Sequence, residues 1–435
     1  MARILFASKT SFAADFLSLI SERFQSFDEA TGAAASVISE VKAHGFDALV
    51  KMSRSFDDFE LTKSNFKISA LQISNAIKSC DNEIIKSLEV AARRIADFHA
   101  MSVPKNGYYE DEYGMGLGWN WNAVDAVGLY APGGKAAYPS SVMMNAVPAK
   151  VAGVERIIMA TPPSRLHENP AILAAAHIAG VSEIFGVGGA QAIAAMAYGA
   201  GEIAPVDVIV GPGNAYVSAA KKLVFGDVGI DSVAGPSEIY IVADNKNDPA
   251  IIACDLLAQS EHDELSQSIL FTDDELFARK VLSIAAGQIA AGEAALPAAT
   301  SWGKYGAVII VENLGDACDF VNQGAPEHLA IATENPDEIM AKIRHAGSIF
   351  LGRLTPESLG DYVAGPNHVL PTGRRARFSS GLNVMNFMKR TTVLRANALG
   401  LNEIGKYAVT LAHAEGLPAH GLSVEMRLAA IKAAQ

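Results

Sequence analysis

Residues 126–134 read Ala-Val-Gly-Leu-Tyr-Ala-Pro-Gly-Gly, a short apolar run that ends in turn-forming proline and glycine. A segment with helical spacing follows, and the same succession of apolar run, turn and Ala-rich helix recurs along the chain. The candidate strands are residues 126–130, 155–160, 182–187, 206–210, 237–243, 267–272, 306–312 and 347–351. Because strands that alternate with helices are joined by crossovers, this pattern predicts an α/β fold built on parallel sheets.

The candidate strands fall into two similar sets that meet near residues 237–250, which predicts two Rossmann-like parallel-sheet domains. Helical spacing dominates residues 30–100, and the Ala-rich segment from residue 395 has no strand to add to either sheet. We therefore expect a helical N-terminal segment and a helical C-terminal arm. The expected bounds are 1–25 for the N-terminal segment, 26–125 with 238–381 for the first Rossmann-like domain, 126–237 for the second, and 382–435 for the arm.

The composition restricts the possible partners. The chain of 435 residues is longer than one core usually supports, and 50% of its residues are hydrophobic while 19% are charged. Such a composition favours buried interfaces, so we expect an oligomer. The net charge of -12 argues against nucleic acid or an anionic membrane as a partner. No apolar run reaches the roughly 18 residues of a membrane span, and we expect a cytoplasmic enzyme.

A carboxylate and an imidazole stand side by side in the stretch Ala-Pro-Glu327-His328. Proton transfer near neutral pH requires such groups, because histidine titrates near 6.5 and burial can raise a glutamate toward that value. The pair therefore predicts acid/base chemistry at this point of the chain.

Further polar stretches predict a metal site. Gln259 and His262 are separated by two residues on a predicted helix, so both side chains point the same way. With Asp361 and His420 they form a nitrogen and oxygen ligand set that suits zinc or a similar divalent ion. Each residue also has a structural interpretation. Gln259 and His262 fit a hydrogen-bonded pair on a helix surface, and Glu327 fits a helix cap or an ion pair with Arg344. Asp361 fits a turn, and His420 fits a solvated loop.

Glycines cluster in three loops, each between a candidate strand and a helix: 128–134, 186–191 and 211–214. Ligands bind at the carboxyl ends of strands in open parallel sheets. None of the loops is a complete dinucleotide fingerprint, because Gln191 stands where the third glycine would be. Each loop alone fits a tight turn, but their recurrence favours a nucleotide or dinucleotide site.

Eight longer motifs lie between residues 128 and 420, and the similarity that they carry extends from about residue 30 to the C-terminus. They are Gly-Leu-Tyr-Ala-Pro-Gly-Gly (128–134), Val-Gly-Gly-Ala-Gln-Ala-Ile-Ala (187–194), Val-Gly-Pro-Gly-Asn-Ala-Tyr-Val (210–217), Ala-Gly-Pro-Ser-Glu (234–238), Gln-Ser-Glu-His (259–262), Ala-Pro-Glu-His-Leu (325–329), Gly-Asp-Tyr-Val-Ala-Gly-Pro-Asn-His-Val-Leu-Pro-Thr (360–372) and Ala-Glu-Gly-Leu-Pro-Ala-His (414–420). In this order and spacing they resemble the histidinol dehydrogenase family.

The resemblance implies a zinc-dependent, NAD-linked four-electron oxidation of L-histidinol through L-histidinal to L-histidine, the last step of histidine biosynthesis. It implies a zinc ion in each chain, and a homodimer with shared active sites in which the C-terminal arm crosses to the partner chain. The residues that it assigns are the metal ligands Gln259, His262, Asp361 and His420; the catalytic pair Glu327 and His328; Ser237, His368 and Glu415, which join the pair and the ligands in substrate contact; and Tyr130, Gln191 and Asn214, which contact NAD.

The residue chemistry is consistent with this reaction. His328 can take the hydroxyl proton of an alcohol, and the glycine loops can hold a nicotinamide cofactor for the hydride. No cysteine stands next to the polar stretches, so water activated by Glu327 is a simpler route for the aldehyde step than a cysteine nucleophile.

Two other functions fit part of the pattern. A related dehydrogenase could oxidise another small polar alcohol, such as a sulfonated diol, but Glu415 and His368 suit a cationic, imidazole-bearing substrate better. A zinc hydrolase with Glu327 as its base would leave the glycine loops unexplained. NADH formation with L-histidinol, measured against a panel of diols, separates these alternatives.

Overall fold

The computed structural model describes residues 2–23, 28–132, 138–163, 169–233 and 235–434. The chain forms two compact units. The first unit comprises residues 1–101 and 125–387, and the second comprises residues 102–124 and 388–435. Strands and helices are numbered along the chain.

A parallel sheet of six described strands, here sheet A, belongs to the first unit and includes the N-terminal strand. Its central strands consist largely of isoleucine, valine, leucine and phenylalanine and are buried throughout, which is typical of a parallel sheet with helices on both faces. In spatial order the strands are β1 (Arg3–Phe6), β11 (Ala307–Ile310), β10 (Gln267–Thr272), β9 (Glu238–Ala243), β12 (His328–Ala332) and β13 (Ser348–Leu351).

The helices between the strands of sheet A return the chain from the carboxyl edge of the sheet to its amino edge. The helix that precedes β10 begins at Pro249, because the Asp248 side chain accepts the N–H of Ala250 at 2.8 Å and Pro249 occupies the first turn. The helices are α1 (Phe12–Ser21), α10 (Pro249–Ser260), α11 (Glu275–Ala291), α12 (Pro297–Tyr305), α13 (Ala317–Gly324), α14 (Pro336–Met340) and α15 (Glu357–Tyr362), with short 3-10 turns at Leu314–Asp316, Arg375–Arg377 and Val384–Phe387.

A second parallel sheet, sheet B, is formed by the middle of the chain and also belongs to the first unit. In spatial order its strands are β6 (Glu183–Gly186), β5 (Arg156–Thr161), β4 (Ala126–Tyr130), β7 (Val208–Val210) and β8 (Gly229–Ile230). The accompanying helices are α6 (Pro139–Val151), α7 (Pro170–Ile178), α8 (Gly189–Tyr198) and α9 (Ala215–Val224). A layer from the N-terminal part adds α2 (Asp28–Phe56), α3 (Lys63–Phe66), α4 (Ala70–Ser79) and α5 (Asn82–Ala100), and α2 packs on α8 and α9.

The second unit combines segments from distant parts of the chain. Its antiparallel sheet has β3 (Gly116–Ala123) between β2 (Gly107–Glu110) and β14 (Met388–Arg395). The helices α16 (Ala398–Ala414) and α17 (Pro418–Ala433) follow β14 and pack against each other.

The predicted α/β fold with two parallel sheets is confirmed, and each predicted strand is present with bounds shifted by three residues at most. The helical description of the chain ends was incomplete, because β1 precedes α1 and β14 begins the arm. Short segments of four to eight residues carry too little periodicity to show that they pair with strands elsewhere in the chain. The last strand of sheet B ends at Ile230, and the next strand along the chain, β9 of sheet A, begins at Glu238. The expected domain bounds remain predictions.

Within the described residues, no helix has both the length and the apolar character needed to cross a membrane.

Candidate active site

The acid/base residues predicted from the sequence lie at the amino edge of sheet A. Ser237 immediately precedes β9, Glu327 immediately precedes β12, and His328 begins β12. β9 and β12 are adjacent and parallel, with His328 in register with Ile239. The neighbouring strand starts therefore bring these three side chains into one place.

Glu327 is a buried carboxylic acid with two defined hydrogen bonds. Its Oε2 accepts the backbone N–H of Glu238 at 3.0 Å, and its carboxylate also accepts the Ser237 hydroxyl. Burial raises the pKa of Glu327 to about 8, and the negative charge of Asp361 acts in the same direction. A carboxyl group with this pKa can change protonation state near the pH at which a general base operates.

His328 is also buried, and only one of its ring nitrogens has a hydrogen-bond partner among the described residues. Its Nδ1 lies 3.2 Å from the carbonyl oxygen of Glu238 and 3.7 Å from Oε2 of Glu327. Burial lowers the pKa of His328 to about 3, so the ring is neutral. A carbonyl oxygen can only accept, so Nδ1 carries the proton and Nε2, which no described residue engages, is left as the base.

Gln259 and His262 meet at the C-terminal end of α10, which returns the chain to the amino edge of sheet A. Gln259 lies in the last turn and His262 follows the helix, and Gln259 Nε2 is 3.3 Å from His262 Nδ1. Gln259 is completely buried, yet no described residue bonds to its Oε1. His262 lowers the pKa values of His328 and His368 by charge repulsion, so the three imidazoles share one neighbourhood.

Asp361 and His368, which follow the catalytic pair in the sequence, contact each other. His368 Nδ1 donates to the backbone oxygen of Asp361 at 2.9 Å and lies 4.0 Å from its Oδ1. Burial raises the pKa of Asp361 to about 6 and lowers that of His368 to about 4. Burial therefore disfavours the charged form of both side chains, a cost that a bound cation or substrate can offset.

The structure adds Glu357, which the sequence analysis missed. Oε1 of Glu357 lies 3.2 Å from Nδ1 of His328. His328, Glu357 and Asp361 each offer one potential metal-ligand atom, and these three atoms lie within 4.8 Å of one another. Burial raises the pKa of Glu357 well above its usual value, with further effects from Asp361 and Glu327. The sequence did contain a signal for Glu357: it lies four residues before Asp361, and residues at this spacing share one face of a helix.

The residues expected to contact a dinucleotide lie at the carboxyl edge of sheet B. Tyr130 ends β4, and its hydroxyl oxygen accepts the N–H of Gly189 at 3.0 Å, at the start of α8. Gln191, in the first turn of α8, is 2% exposed, and no described group bonds to its Nε2. Gly133 and Gly134 of the first glycine loop lie outside the described residues.

Asn214 lies after β7, at the N-terminus of α9. Its Oδ1 accepts the N–H groups of Tyr216 and Val217, both at 3.1 Å, so the side chain is a helix cap. The preceding Gly211 has φ +111°, and a Cβ at this position would lie 2.2 Å from the Tyr130 carbonyl oxygen. β4 and β7 are adjacent where the strand order reverses, the usual ligand position in such sheets.

Glu415 and His420 belong to the second unit. Glu415 follows α16, His420 lies in the first turn of α17, and both side chains are exposed. The first unit thus contains Ser237, Gln259, His262, Glu327, His328, Asp361 and His368, and the second unit contains Glu415 and His420.

Comparison with known proteins connects this site to one family. The family model described as histidinol dehydrogenase matches residues 21–428. Histidinol dehydrogenase of Agrobacterium fabrum is 50% identical over 428 residues, which cover 98% of this chain and 99% of that protein. The Rhodospirillum rubrum enzyme of the same name is 51% identical over 423 residues, with 97% and 98% covered.

A solved structure agrees over the same extent. The crystal structure of histidinol dehydrogenase from Elizabethkingia anophelis matches with a TM-score of 0.92 at 33% identity, and 99% of each chain is covered. Because the sequence and structural matches both span nearly the whole chain, the protein belongs to the histidinol dehydrogenase family, a family of dehydrogenase enzymes.

Proposed function

We propose that this protein oxidises L-histidinol through L-histidinal to L-histidine, with NAD as the electron acceptor and zinc as a bound metal, in the cytoplasm. The observation that carries the proposal is the buried pair of Glu327 and His328. Among the described residues, His328 Nε2 and the nearby Gln259 Oε1 are buried without a hydrogen-bond partner. This is the last step of histidine biosynthesis. The first oxidation releases one hydride and one proton from the alcohol. The second adds water to the aldehyde and then releases another hydride and two protons, which leaves the carboxylate.

His328 is proposed to take the hydroxyl proton of L-histidinol. Its Nδ1–H faces the Glu238 carbonyl, so Nε2 carries the lone pair that faces a substrate. Burial keeps the ring neutral, which is the form that a general base needs. The nicotinamide, when bound, accepts the hydride that leaves the same carbon.

Glu327 is proposed to activate water for the aldehyde step. As a carboxylate it can remove a proton from water that attacks the aldehyde carbon, which forms the hydrate that is then oxidised. Its pKa of about 8 makes it a stronger base than an exposed glutamate, and the Glu238 N–H and Ser237 hydroxyl orient it. Within the described residues, neither Glu327 nor His328 bonds to a cysteine; Cys80 and Cys318 are buried and Cys254 is exposed.

The donor set fits zinc. Gln259 Oε1 is buried without a described partner, and it adjoins the imidazole of His262. These residues and Asp361 would hold the ion, which when bound would orient the imidazole and amine nitrogens of the substrate. A second set, His328, Glu357 and Asp361, also clusters. We assign the ion to the first set because His328 Nδ1 already faces a carbonyl and its Nε2 serves as the base.

NAD is proposed to bind at the carboxyl edge of sheet B, with Tyr130, Gln191 and Asn214 in contact. The N-termini of α8 and α9 lie at this edge, and the positive end of a helix dipole favours phosphate. Gln191 Nε2 supplies an additional buried donor.

The remaining assigned residues complete a proposed substrate site. His368 and Ser237 would contact L-histidinol from the first unit. We propose a homodimer in which the partner subunit's His420 supplies the fourth zinc ligand and the partner subunit's Glu415 contacts the substrate. The proposal for these two rests on the family resemblance and on their exposure.

The direct test measures NADH formed from L-histidinol, with sulfonated and other small diols as the comparison panel. We expect two NADH for each L-histidinol and little from the diols. Oxidation of a sulfonated diol without oxidation of L-histidinol would contradict the proposed substrate, and hydrolysis without NAD binding would support a hydrolase.

Metal analysis tests the zinc site independently of activity. We expect about one zinc per chain, lost to chelators together with activity and regained on adding zinc or another divalent ion. Gln259→Ala should lower the zinc content. A fully active protein without a bound divalent ion would contradict this part of the proposal.

Complementation tests the shared site. Asp361→Ala and His420→Ala should each be nearly inactive as homodimers, whereas a mixed dimer contains one site with both lesions and one with neither. Co-expression of the two variants should restore measurable activity. Verified heterodimers without activity would show that each site is built within one chain.

A further inference from the structure

A buried arginine from the N-terminal segment lies behind the acid/base pair. Arg23 follows α1 and is 1% exposed. A buried guanidinium requires partners, because the loss of hydration is costly. Its NH1 donates to the carbonyl oxygens of Pro236 and Ser237, each at 3.1 Å, and it forms an ion pair with the buried Glu238 carboxylate. Arg23 therefore fixes the three residues at which the chain enters β9.

Glu238 connects this ion pair to both catalytic side chains. Its backbone N–H donates to Glu327 Oε2 at 3.0 Å, and its backbone oxygen accepts from His328 Nδ1 at 3.2 Å. Its carboxylate, besides pairing with Arg23, accepts the N–H of Gly373 at 3.1 Å. One residue thus orients the acid and the base through its backbone while its side chain is held from two directions.

The consequence for the chemistry follows from these bonds. The carbonyl of Glu238 fixes the His328 tautomer that leaves Nε2 as the base, and the N–H of Glu238 fixes the orientation of the Glu327 carboxylate. A small movement of this peptide would displace both groups at once. Misplacement by about 1 Å can reduce a rate by about a hundredfold.

We propose that the Arg23–Glu238 ion pair is a positioning element for the Glu327–His328 pair, and this inference rests on the proposed function. Arg23 and Glu238 touch neither substrate nor cofactor in this scheme. They act through the backbone of residues 236–238, so their loss should slow both oxidation steps while leaving substrate affinity largely unchanged.

The test compares Arg23→Met and Arg23→Lys with the wild-type protein in both half-reactions, oxidation of L-histidinol and of added L-histidinal. For Arg23→Met we expect kcat to fall by more than about tenfold in both steps, with KM for L-histidinol within about twofold. Arg23→Lys keeps the charge and should recover part of kcat. This differs from substitution of Glu327 or His328, for which the two steps should respond unequally.

Arg156→Met is the matched control. Arg156 bonds in the same manner, with Glu183 Oε1 at 3.2 Å and the carbonyl oxygens of Ala204 and Pro205 at 2.8 and 3.0 Å, but it lies at sheet B. It has no bond to residues 236–238, so we expect unchanged kcat in both steps at an equal folded fraction.

The outcomes separate the two proposals. If the wild-type protein oxidises L-histidinol and folded Arg23→Met keeps wild-type kcat in both steps, the positioning role is wrong and the proposed function stands. If Arg23→Met does not fold, Glu238→Gln decides, because it also removes the ion pair. A folded Glu238→Gln variant with reduced kcat in both steps and unchanged KM supports the role, and one with wild-type kcat overturns it. A wild-type protein without histidinol oxidation overturns the proposed function and this inference with it.

Discussion

The two parallel sheets of the first unit present their candidate sites at opposite ends of their strands. In sheet B, Tyr130 and the loops at Gly186–Gln191 and Gly211–Asn214 lie at the carboxyl edge, as expected for an open α/β sheet. In sheet A, Ser237, Glu327 and His328 lie at the amino edge.

At the carboxyl edge of sheet A, the protein's own side chains form hydrogen bonds and ion pairs at the strand ends, where a ligand would otherwise be expected. Asp244, after β9, accepts two hydrogen bonds from Arg353 at 2.8 and 2.6 Å and the N–H of Glu334 at 2.8 Å. Lys246 and Glu334 form a further ion pair at 2.7 Å. Ion pairs and hydrogen bonds between the protein's own side chains therefore lie at the carboxyl ends of β9 and β12. The amino edge instead receives side chains from strand starts and from the ends of returning helices, which gives it a dense set of polar groups.

The largest effect is expected at the amino edge of sheet A. Glu327→Gln should impair oxidation of added L-histidinal more than oxidation of L-histidinol to the aldehyde, and His328→Asn should damage the alcohol step most. Losses of about 10²- to 10⁴-fold are typical for a general acid or base. Single-turnover measurements of each step provide the comparison, and equal losses in both steps for both variants would contradict the division of roles.

At the carboxyl edge of sheet B, Gly211→Ala should weaken NAD binding. Its Cβ would lie 2.2 Å from the Tyr130 carbonyl oxygen and force the loop apart. We expect Kd for NAD to rise by about tenfold or more, which corresponds to about 1.4 kcal/mol. Gly226→Ala is the control, because Gly226 has φ +112° but no atom within 4 Å of the added Cβ. Titration of NAD by fluorescence measures both, and equal Kd values would remove this loop from the cofactor site.

The pH dependence of the aldehyde step should report Glu327. Its pKa is raised to about 8, so the carboxylate form, which is the base, is a minor form at pH 7 and becomes dominant as the pH rises above 8. A bound divalent cation lowers such a pKa, so we expect kcat/KM for L-histidinal to rise with pH and level off at or below about 8. The rise should be absent in Glu327→Gln. A wild-type profile that falls with increasing pH over this range would contradict the assignment.

The smallest effect on activity is expected at the carboxyl edge of sheet A. Asp244→Asn should lower the free energy of unfolding by about 1–3 kcal/mol, because it weakens charge-assisted bonds to Arg353. Neither kcat nor KM should change at an equal folded fraction. Denaturant titration and steady-state kinetics measure the two quantities. A specific change in KM would show that this edge also binds a ligand.

The sequence predicted the sheets better than the position of the site in sheet A. Apolar runs such as residues 267–272 are long and bounded by turns, so their strands could be read directly. β12 was missed because it begins with the polar His328, directly after Glu327, so its start does not read as an apolar run. Without β12, Glu327 could not be assigned to the start of a strand next to Ser237.

Contacts between distant residues were the other limit. The pairing of Gln259 with His262 was predictable from local spacing, whereas the bonds of Glu238 to Glu327 and of Arg23 to Ser237 join residues from separate parts of the chain. Such contacts depend on strand order and register, which hydrophobic periodicity does not specify. Glu357 remained hidden because an acidic residue near a helix start is usually solvated.

The pairing of β1 with β11 has a consequence for the order in which the molecule is made. Arg3 is in register with Ala307, so β1 leaves the ribosome long before its neighbour β11 has been synthesised. At about 5–20 residues per second, that delay is on the order of tens of seconds. Sheet A must then close a very long loop, while the strands of sheet B are contiguous in sequence and can associate earlier. Nascent chains should therefore carry a folded sheet B with an unfinished sheet A, and apolar α1 should need protection until the C-terminal half emerges.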